Sequence, residues 1–223
     1  MRFGYVATNL LDLWAEPRYN SERSSQLLFC ERLTIHDEQH GYLWVKQIDG
    51  YSGWVDIRQI VEIGAHAFEA FNRTPKMAVR SFQAKLFDRT RMAIQPHFLY
   101  YGTVVAKGRS SNGYVQSVLP DGQRILVKES TLRPLASKPC NAITGLMLVN
   151  EAKRFLGVPY LWGGVSPAGF DCSGLVQTIC RRFGIVVPRD TKDQINVGAE
   201  VSRGDVVTGD VLFFKRHVGF AIG

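Results

Sequence analysis

Over the first 64 residues, apolar positions alternate with polar ones in short runs broken by Gly, Asn and Asp, the period-two pattern of half-buried strands. The pattern predicts strands over residues 10–14, 26–33, 43–48 and 53–57, with His40-Gly41 and Asp49-Gly50 as turns. Short strands at this spacing predict a small barrel. At residues 64–72 the spacing becomes helical, with Ala65, Phe68 and Phe71 or Asn72 on one face of a short helix or linker. A second β-rich stretch follows, with strands at 101–107, 114–119 and 124–128 and hairpin turns at Asn112-Gly113 and Asp121-Gly122. The two stretches have no fixed-period repeat, although they could be diverged copies of one fold.

After Pro139 the pattern lengthens. Thr144 can cap a helix whose Leu148, Ala152, Phe155 and Leu156 share a face, and Gly157-Val158-Pro159 stops it. A loop through Pro167 and Gly169 ends at Asp171. Leu175, Val176, Ile179, Cys180 and Phe183 then recur at helical spacing as far as Gly184, which stands where a C-terminal cap belongs. Strands are predicted at 210–214 and 217–222, so this last third is α+β. The divisions read as 1–64, 65–137 and 138–223.

The chain has 223 residues, 45% of them hydrophobic and 21% charged, with a mean hydropathy near zero. This composition excludes disorder as the main description and suits packed cores. No apolar run approaches the roughly 18 residues of a membrane span, and residues 1–13 carry Arg2 and Asp12 in place of a signal peptide's apolar block. A cytoplasmic monomer is expected, with the periplasm or cell wall as the second choice. The formal charge of +7 is unevenly spread: −3 over residues 1–64, +7 over 65–137 and +3 over 138–223. It could serve a polyanionic partner, but without a dense Lys/Arg run or an RNA-binding aromatic motif, no nucleic-acid partner is expected.

The four cysteines, Cys30, Cys140, Cys172 and Cys180, form no C-x-x-C pair, and reduced thiols are the default. Cys180, on the apolar helix face, suits a small buried hydrophobe, and so by default do Cys30 and Cys140. Cys172 is different, because it opens the second helix with Asp171 as its N-cap. An ordinary thiol is only about 3% thiolate at pH 7, and a helix N-terminus favours the anion. A cysteine nucleophile needs a base, and among five histidines only His217 lies in the same third of the chain. The strand alternation puts Val218, Phe220 and Ile222 on one face and His217, Gly219 and Ala221 on the other. The small residues predict that the His217 face packs against the helix, bringing the imidazole to Cys172.

Five blocks, Tyr160-Leu-Trp-Gly-Gly, Phe170-Asp-Cys-Ser-Gly-Leu-Val-Gln, Pro188-Arg-Asp-Thr-Lys-Asp-Gln, Gly209-Asp-Val-Leu-Phe-Phe and His217-Val-Gly-Phe-Ala-Ile-Gly, resemble in content and order the NlpC/P60 cysteine peptidases. The resemblance covers residues 144–223. The preceding β regions resemble bacterial SH3-like (SH3b) domains more weakly, through Asp49-Gly50-Tyr51-Ser52-Gly53-Trp54-Val55. The resemblance implies two small all-β SH3-like barrels followed by an α+β papain-like domain. It implies an endopeptidase that cleaves the γ-D-glutamyl bond to a diamino acid, L-Lys or meso-diaminopimelate, in peptidoglycan-derived peptides. Cys172 would attack the carbonyl, and His217 would activate the thiol and then protonate the leaving amine. By the same resemblance Asp171, Ser173 and Thr191 hold a free N-terminal L-Ala amine, Tyr51 closes the site, and Tyr160 and Trp162 join the substrate-binding residues. No cofactor is implied.

The family orients its histidine with a third polar residue on the strand after the His strand, whereas this sequence stops six residues past His217; a C-terminally incomplete peptidase domain is expected. The alternatives are a non-catalytic peptidoglycan-binding protein with a vestigial peptidase, and Cys–His chemistry on another amide or thioester. His36-Asp-Glu-Gln-His40 superficially resembles a zinc motif, but its glutamate is shifted by one and it falls between strands, so no metal is expected. Gly163-Gly164 lacks the remaining glycines of a phosphate loop.

Overall fold

The computed structural model describes every residue except Arg89, Ser137, Cys140, Asn141 and Gly223, and only the backbone of Ala93. The reading of Cys140 therefore lies outside the described residues. The chain divides into two compact units, Met1–Leu135 and Ala136–Gly223.

In the first unit β1 (Arg2–Val6), β2 (Leu10–Trp14), β3 (Arg23–Leu28), β4 (Arg32–Gln39), β5 (Tyr42–Gln47), β6 (Ser52–Asp56) and β7 (Ile60–Ile63) form one antiparallel sheet, ordered β3-β2-β6-β5-β4-β1-β7. Its alternate positions, among them Leu11, Leu13, Leu27, Leu33, Leu43, Val45 and Val55, make a common core. The apolar run at 26–33 is two strands rather than one. Cys30 adopts a left-handed φ of 62° and turns the chain between β3 and β4, a reversal that hydrophobicity alone does not encode.

Helix α1 (Ala65–Arg73) buries Phe68 and Phe71, while Ala65 stays exposed. Its last carbonyls, at Phe71 and Thr74, accept hydrogen bonds from the Lys76 ammonium, which also lies 4.5 Å from the centre of the Phe71 ring. Strands β8 (Lys76–Val79), β9 (Gln83–Phe87), β10 (Ala93–Tyr100), β11 (Val104–Ala106), β12 (Arg109–Ser111), β13 (Tyr114–Val118), β14 (Arg124–Lys128) and β15 (Leu132–Pro134) follow. They form sheets ordered β10-β9-β14-β13-β12 and β11-β8-β15 around a second core. Of the strand predicted at 101–107 only Val104–Ala106 pairs, because Gly102 (φ 87°) turns the chain just before it. Phe29 and Cys30 belong to this second core although they come from the first β region, and the Tyr5 hydroxyl donates to Asp121 at 2.7 Å. Shared packing makes the two β regions one unit.

The second unit opens with α2 (Gly145–Lys153), capped by Thr144, whose hydroxyl accepts from the Met147 amide at 3.4 Å. Val149 and Phe155 are buried. Of the face predicted from Leu148, Ala152, Phe155 and Leu156, only Phe155 is buried: Val149 replaces Leu148 toward the core, and Leu156 is exposed because the α-helix ends at Lys153 and the following turns break its periodicity. The short hairpin β16 (Val165–Ser166) and β17 (Gly169–Phe170) leads into α3 (Cys172–Arg182), then α4 (Thr191–Gln194) and the hairpin β18 (Val211–Phe214) and β19 (His217–Phe220). Val176 and Cys180 of α3 pack with Val218 of β19, joined at the edge by Cys172, Val211, Phe213 and Phe220. Burial pushes the Cys180 thiol up to about 11 and the Cys30 thiol up to about 12, so both remain protonated as packing groups.

Candidate active site

The site is built on the first turn of α3. Asp171 caps it: one carboxylate oxygen accepts from the Gly174 amide at 2.6 Å, the other from the Gly163 amide at 2.9 Å. The Arg189 guanidinium spans both oxygens, at 3.1 and 2.7 Å, and also donates to the Ser173 hydroxyl at 2.9 Å. Arg189 and Asp171 are both buried, and a buried carboxylate needs such a partner. Gln194 completes the network by donating to the carbonyls of Ser173 and Pro188. Three separate loops thus converge on one helix end. The approach is backbone on backbone, since a Cβ on Gly174 would lie 2.2 Å from the Gly164 carbonyl oxygen.

Cys172, partly buried, follows the cap directly. Its sulfur lies 3.9 Å from the Thr191 hydroxyl, which α4 presents from the Pro188–Thr191 segment. Tyr160 also interacts with the Cys172 side chain. Its ring is 59% exposed, yet desolvation, then the neighbouring Cys172 and Asp171 and a hydrogen bond with the Cys172 side chain, raise its pKa. Trp162, two residues on and equally exposed, extends the same loop. The fold therefore gathers Tyr160, Asp171, Cys172, Ser173 and Thr191 in one unit.

His217 requires a correction. The predicted packing of its own face against α3 is reversed: Val218 and Phe220, from the other face, fill the space against the helix, while His217 is exposed. A Cβ on Gly219 would meet nothing within 4 Å. Burying the larger apolar side chains outweighs the close approach that small residues permit. The imidazole makes no hydrogen bond among the described residues, although its strand packs against the Cys172 helix. Tyr51 belongs to the other unit, where its side chain packs on the first core and its hydroxyl donates to the Ser24 carbonyl at 3.5 Å.

Arg189 and Gln194 join Thr191 at the site, although the sequence pattern singles out only Thr191. The signal was there: a buried Asp cap requires a cation, and the Pro-Arg-Asp-Thr block holds one. Asp171 is consequently not an open acceptor. Its two oxygens face Arg189, two backbone amides and the Ser173 hydroxyl, and an incoming ammonium reaches it only by displacing one of them. Around the Cys172 sulfur the arrangement offers hydroxyl donors, from Thr191 and Tyr160, and the positive end of α3, a setting suited to developing negative charge. Among the described residues no three His, Cys, Asp or Glu side chains cluster as metal ligands. The hairpin segment from His36 to His40 is exposed throughout.

An SH3-like all-β region thus precedes an α+β domain that carries a cysteine at the head of α3. Residues 157–223 match the model of the NlpC/P60 family, and residues 13–60 match that of the bacterial dipeptidyl-peptidase Sh3 domain. The chain belongs to the NlpC/P60 family. It is 29% identical over 218 residues, 89% of this chain and 69% of the relative, to gamma-D-glutamyl-L-lysine dipeptidyl-peptidase of Bacillus subtilis (strain 168). It is 31% identical over 130 residues, 54% of this chain and 69% of the relative, to murein DD-endopeptidase MepS/murein LD-carboxypeptidase of Escherichia coli (strain K12). The crystal structure of an NlpC/P60 family protein from Bacillus cereus ATCC 10987 shares the fold, with a TM-score of 0.85 at 22% identity, covering 99% of this chain and 88% of that one.

Proposed function

We propose that the protein is a cysteine endopeptidase that hydrolyses the γ-D-glutamyl bond to a diamino acid in cell-wall peptides bearing a free N-terminal L-Ala. The observation that carries the reading is the capped first turn of α3, which holds the Cys172 sulfur beside the Thr191 hydroxyl, 3.9 Å away, and the Tyr160 side chain. The activity for which the Bacillus subtilis relative is named, matched across most of the chain, supports the substrate class, and a dipeptidyl-peptidase by definition works from a free N-terminus.

In this reading the Cys172 sulfur attacks the γ-glutamyl carbonyl. A thioester forms, the C–N bond breaks, and the amine of the diamino acid leaves with a proton from His217; water then hydrolyses the thioester and regenerates the thiol. Backbone N–H groups at the start of α3 stabilise the oxyanion. The Thr191 hydroxyl, 3.9 Å from the sulfur, is an acceptor for the substrate's ammonium. Asp171 and Ser173, both engaged by Arg189, contribute by fixing the helix end.

Incubation with L-Ala-γ-D-Glu-L-Lys is expected to release L-Ala-D-Glu, detected by mass spectrometry. Cys172→Ala should abolish release and N-acetylation of the peptide should stop it. His217→Ala should remove turnover without lowering the melting temperature, because the side chain is exposed. Turnover that persists in Cys172→Ala sinks the nucleophile assignment, and equal cleavage of acetylated peptide sinks the free-amine requirement.

A further inference from the structure

Between residues 74 and 135 there are ten Lys and Arg against three Asp and Glu, and the sheet β10-β9-β14-β13-β12 gathers several of these cations on its outer face. Ala84, Leu86, Ile125 and Val127 point into the core, so by strand alternation Lys85, Arg124 and Lys128 point outward. Arg109 pairs with Gln116 on the same side, and Arg91 lies 5.3 Å from the centre of the Tyr114 ring. All five are exposed, and among the described residues none has an acidic partner.

The three acids are engaged elsewhere. Asp88 accepts from the Thr90 and Met92 amides of its own turn, Asp121 from Tyr5 and the Gln123 amide, and Glu129 from Ser110. Val127 pairs with Leu86, so Lys128 and Lys85, each the chain neighbour of one member of that pair, fall near one another on the outer face of the adjacent strands β14 and β9. Like charges facing one another across strands are destabilising, and a bound anion relieves the repulsion. The rings of this face meet one another edge-on rather than lying as a row for successive bases: Phe87 meets Tyr114 at 87° and Phe98 meets Tyr100 at 89°, and Arg91 lies against the Tyr114 ring.

We propose that this face binds a flexible polyol-phosphate polymer of the bacterial cell wall, its phosphodiesters meeting Lys85, Lys128, Arg91, Arg109 and Arg124. A thin chain with an anion at every repeat can follow a twisted sheet whose strands lie about 4.8 Å apart. The face belongs to the first unit and the peptidase residues to the second, so the proposal stands or falls apart from their assignment.

The test is fluorescence anisotropy of a labelled glycerol-phosphate oligomer with the full chain. Affinity should fall about a hundredfold as salt rises from about 50 to about 200 mM, as expected for roughly five neutralised phosphates. Lys85→Gln/Lys128→Gln should weaken binding at least about tenfold, with peptide turnover unchanged and the melting temperature not lowered. The control Lys46→Gln/Arg73→Gln removes the same charge away from this face and should bind as the parent does. Absence of binding at low salt, an equal loss in the control, or tighter binding of a single-stranded oligonucleotide of equal charge overturns the proposal.

Discussion

Arg189 and Asp171 show how a single pair controls the site. Removing one member of a buried ion pair leaves the other charge desolvated and unmatched, at a cost of about 3–5 kcal/mol. Arg189→Met is therefore expected to lower the unfolding free energy of the peptidase unit, read from its urea midpoint and m-value, by that order, and Arg189→Met/Asp171→Asn should recover part of the loss. Turnover should stay low in the double variant, since the Asn cap no longer ties the Gly163 loop, the helix start and the Pro188–Thr191 segment together. If Arg189→Met keeps both stability and turnover, the pair does not hold the site. Asp171 as a cap was legible from its position before Cys172. Its partner was not, because Arg189 lies 18 residues further on and only the folded loop brings it back.

At the scale of the element, the first turn of α3 rests directly on the Gly163-Gly164 loop. Gly174→Ala would press its methyl group into the Gly164 carbonyl, a clash between backbone and side chain that no rotamer relieves. We expect a loss of about 1–3 kcal/mol and, because the helix start moves with Cys172, a fall in kcat of about a hundredfold with little change in KM. An unchanged kcat would show that the helix end tolerates displacement. Helix α1 and its cap yield a prediction of a different kind. Burial, then Arg32, bring the Lys76 ammonium down to about 8, and its hydrogen bonds to Phe71 and Thr74 survive loss of one proton. Its folded pKa lies below the ordinary value of 10.5, so the unfolded chain binds the extra proton between those limits and stability rises as pH climbs from about 8. Cys30 acts in the opposite sense. Its folded pKa of about 12 against an ordinary 9 means that stability falls above about pH 9 as the unfolded thiol ionises. Urea midpoints of the β unit should therefore rise from pH 7.5 to 9 and fall beyond pH 10, and Lys76→Met should remove the rising limb.

At the scale of the molecule, the two β regions are expected to unfold as one. Phe29 and Cys30, within the first region, lie in the core of the second, and the Tyr5–Asp121 hydrogen bond ties the two together. A fragment of residues 1–64 would expose that apolar surface and is expected to show no cooperative unfolding by circular dichroism; a folded fragment would mean that the shared packing is dispensable. The sequence by itself determined the order of β and α+β regions, the capped helix that begins at Cys172, and the blocks that mark the family, because these rest on local periodicity and on side chains close along the chain. Only the tertiary structure decided what depends on contacts between distant segments. It split residues 26–33 at a left-handed Cys30, joined two apparent domains by seating Phe29 and Cys30 in the second core, and put Arg189 on Asp171. It also turned β19 so that Val218 and Phe220 face α3 while His217 faces outward, since which side of a strand is buried is decided by the apolar surface that waits to receive it.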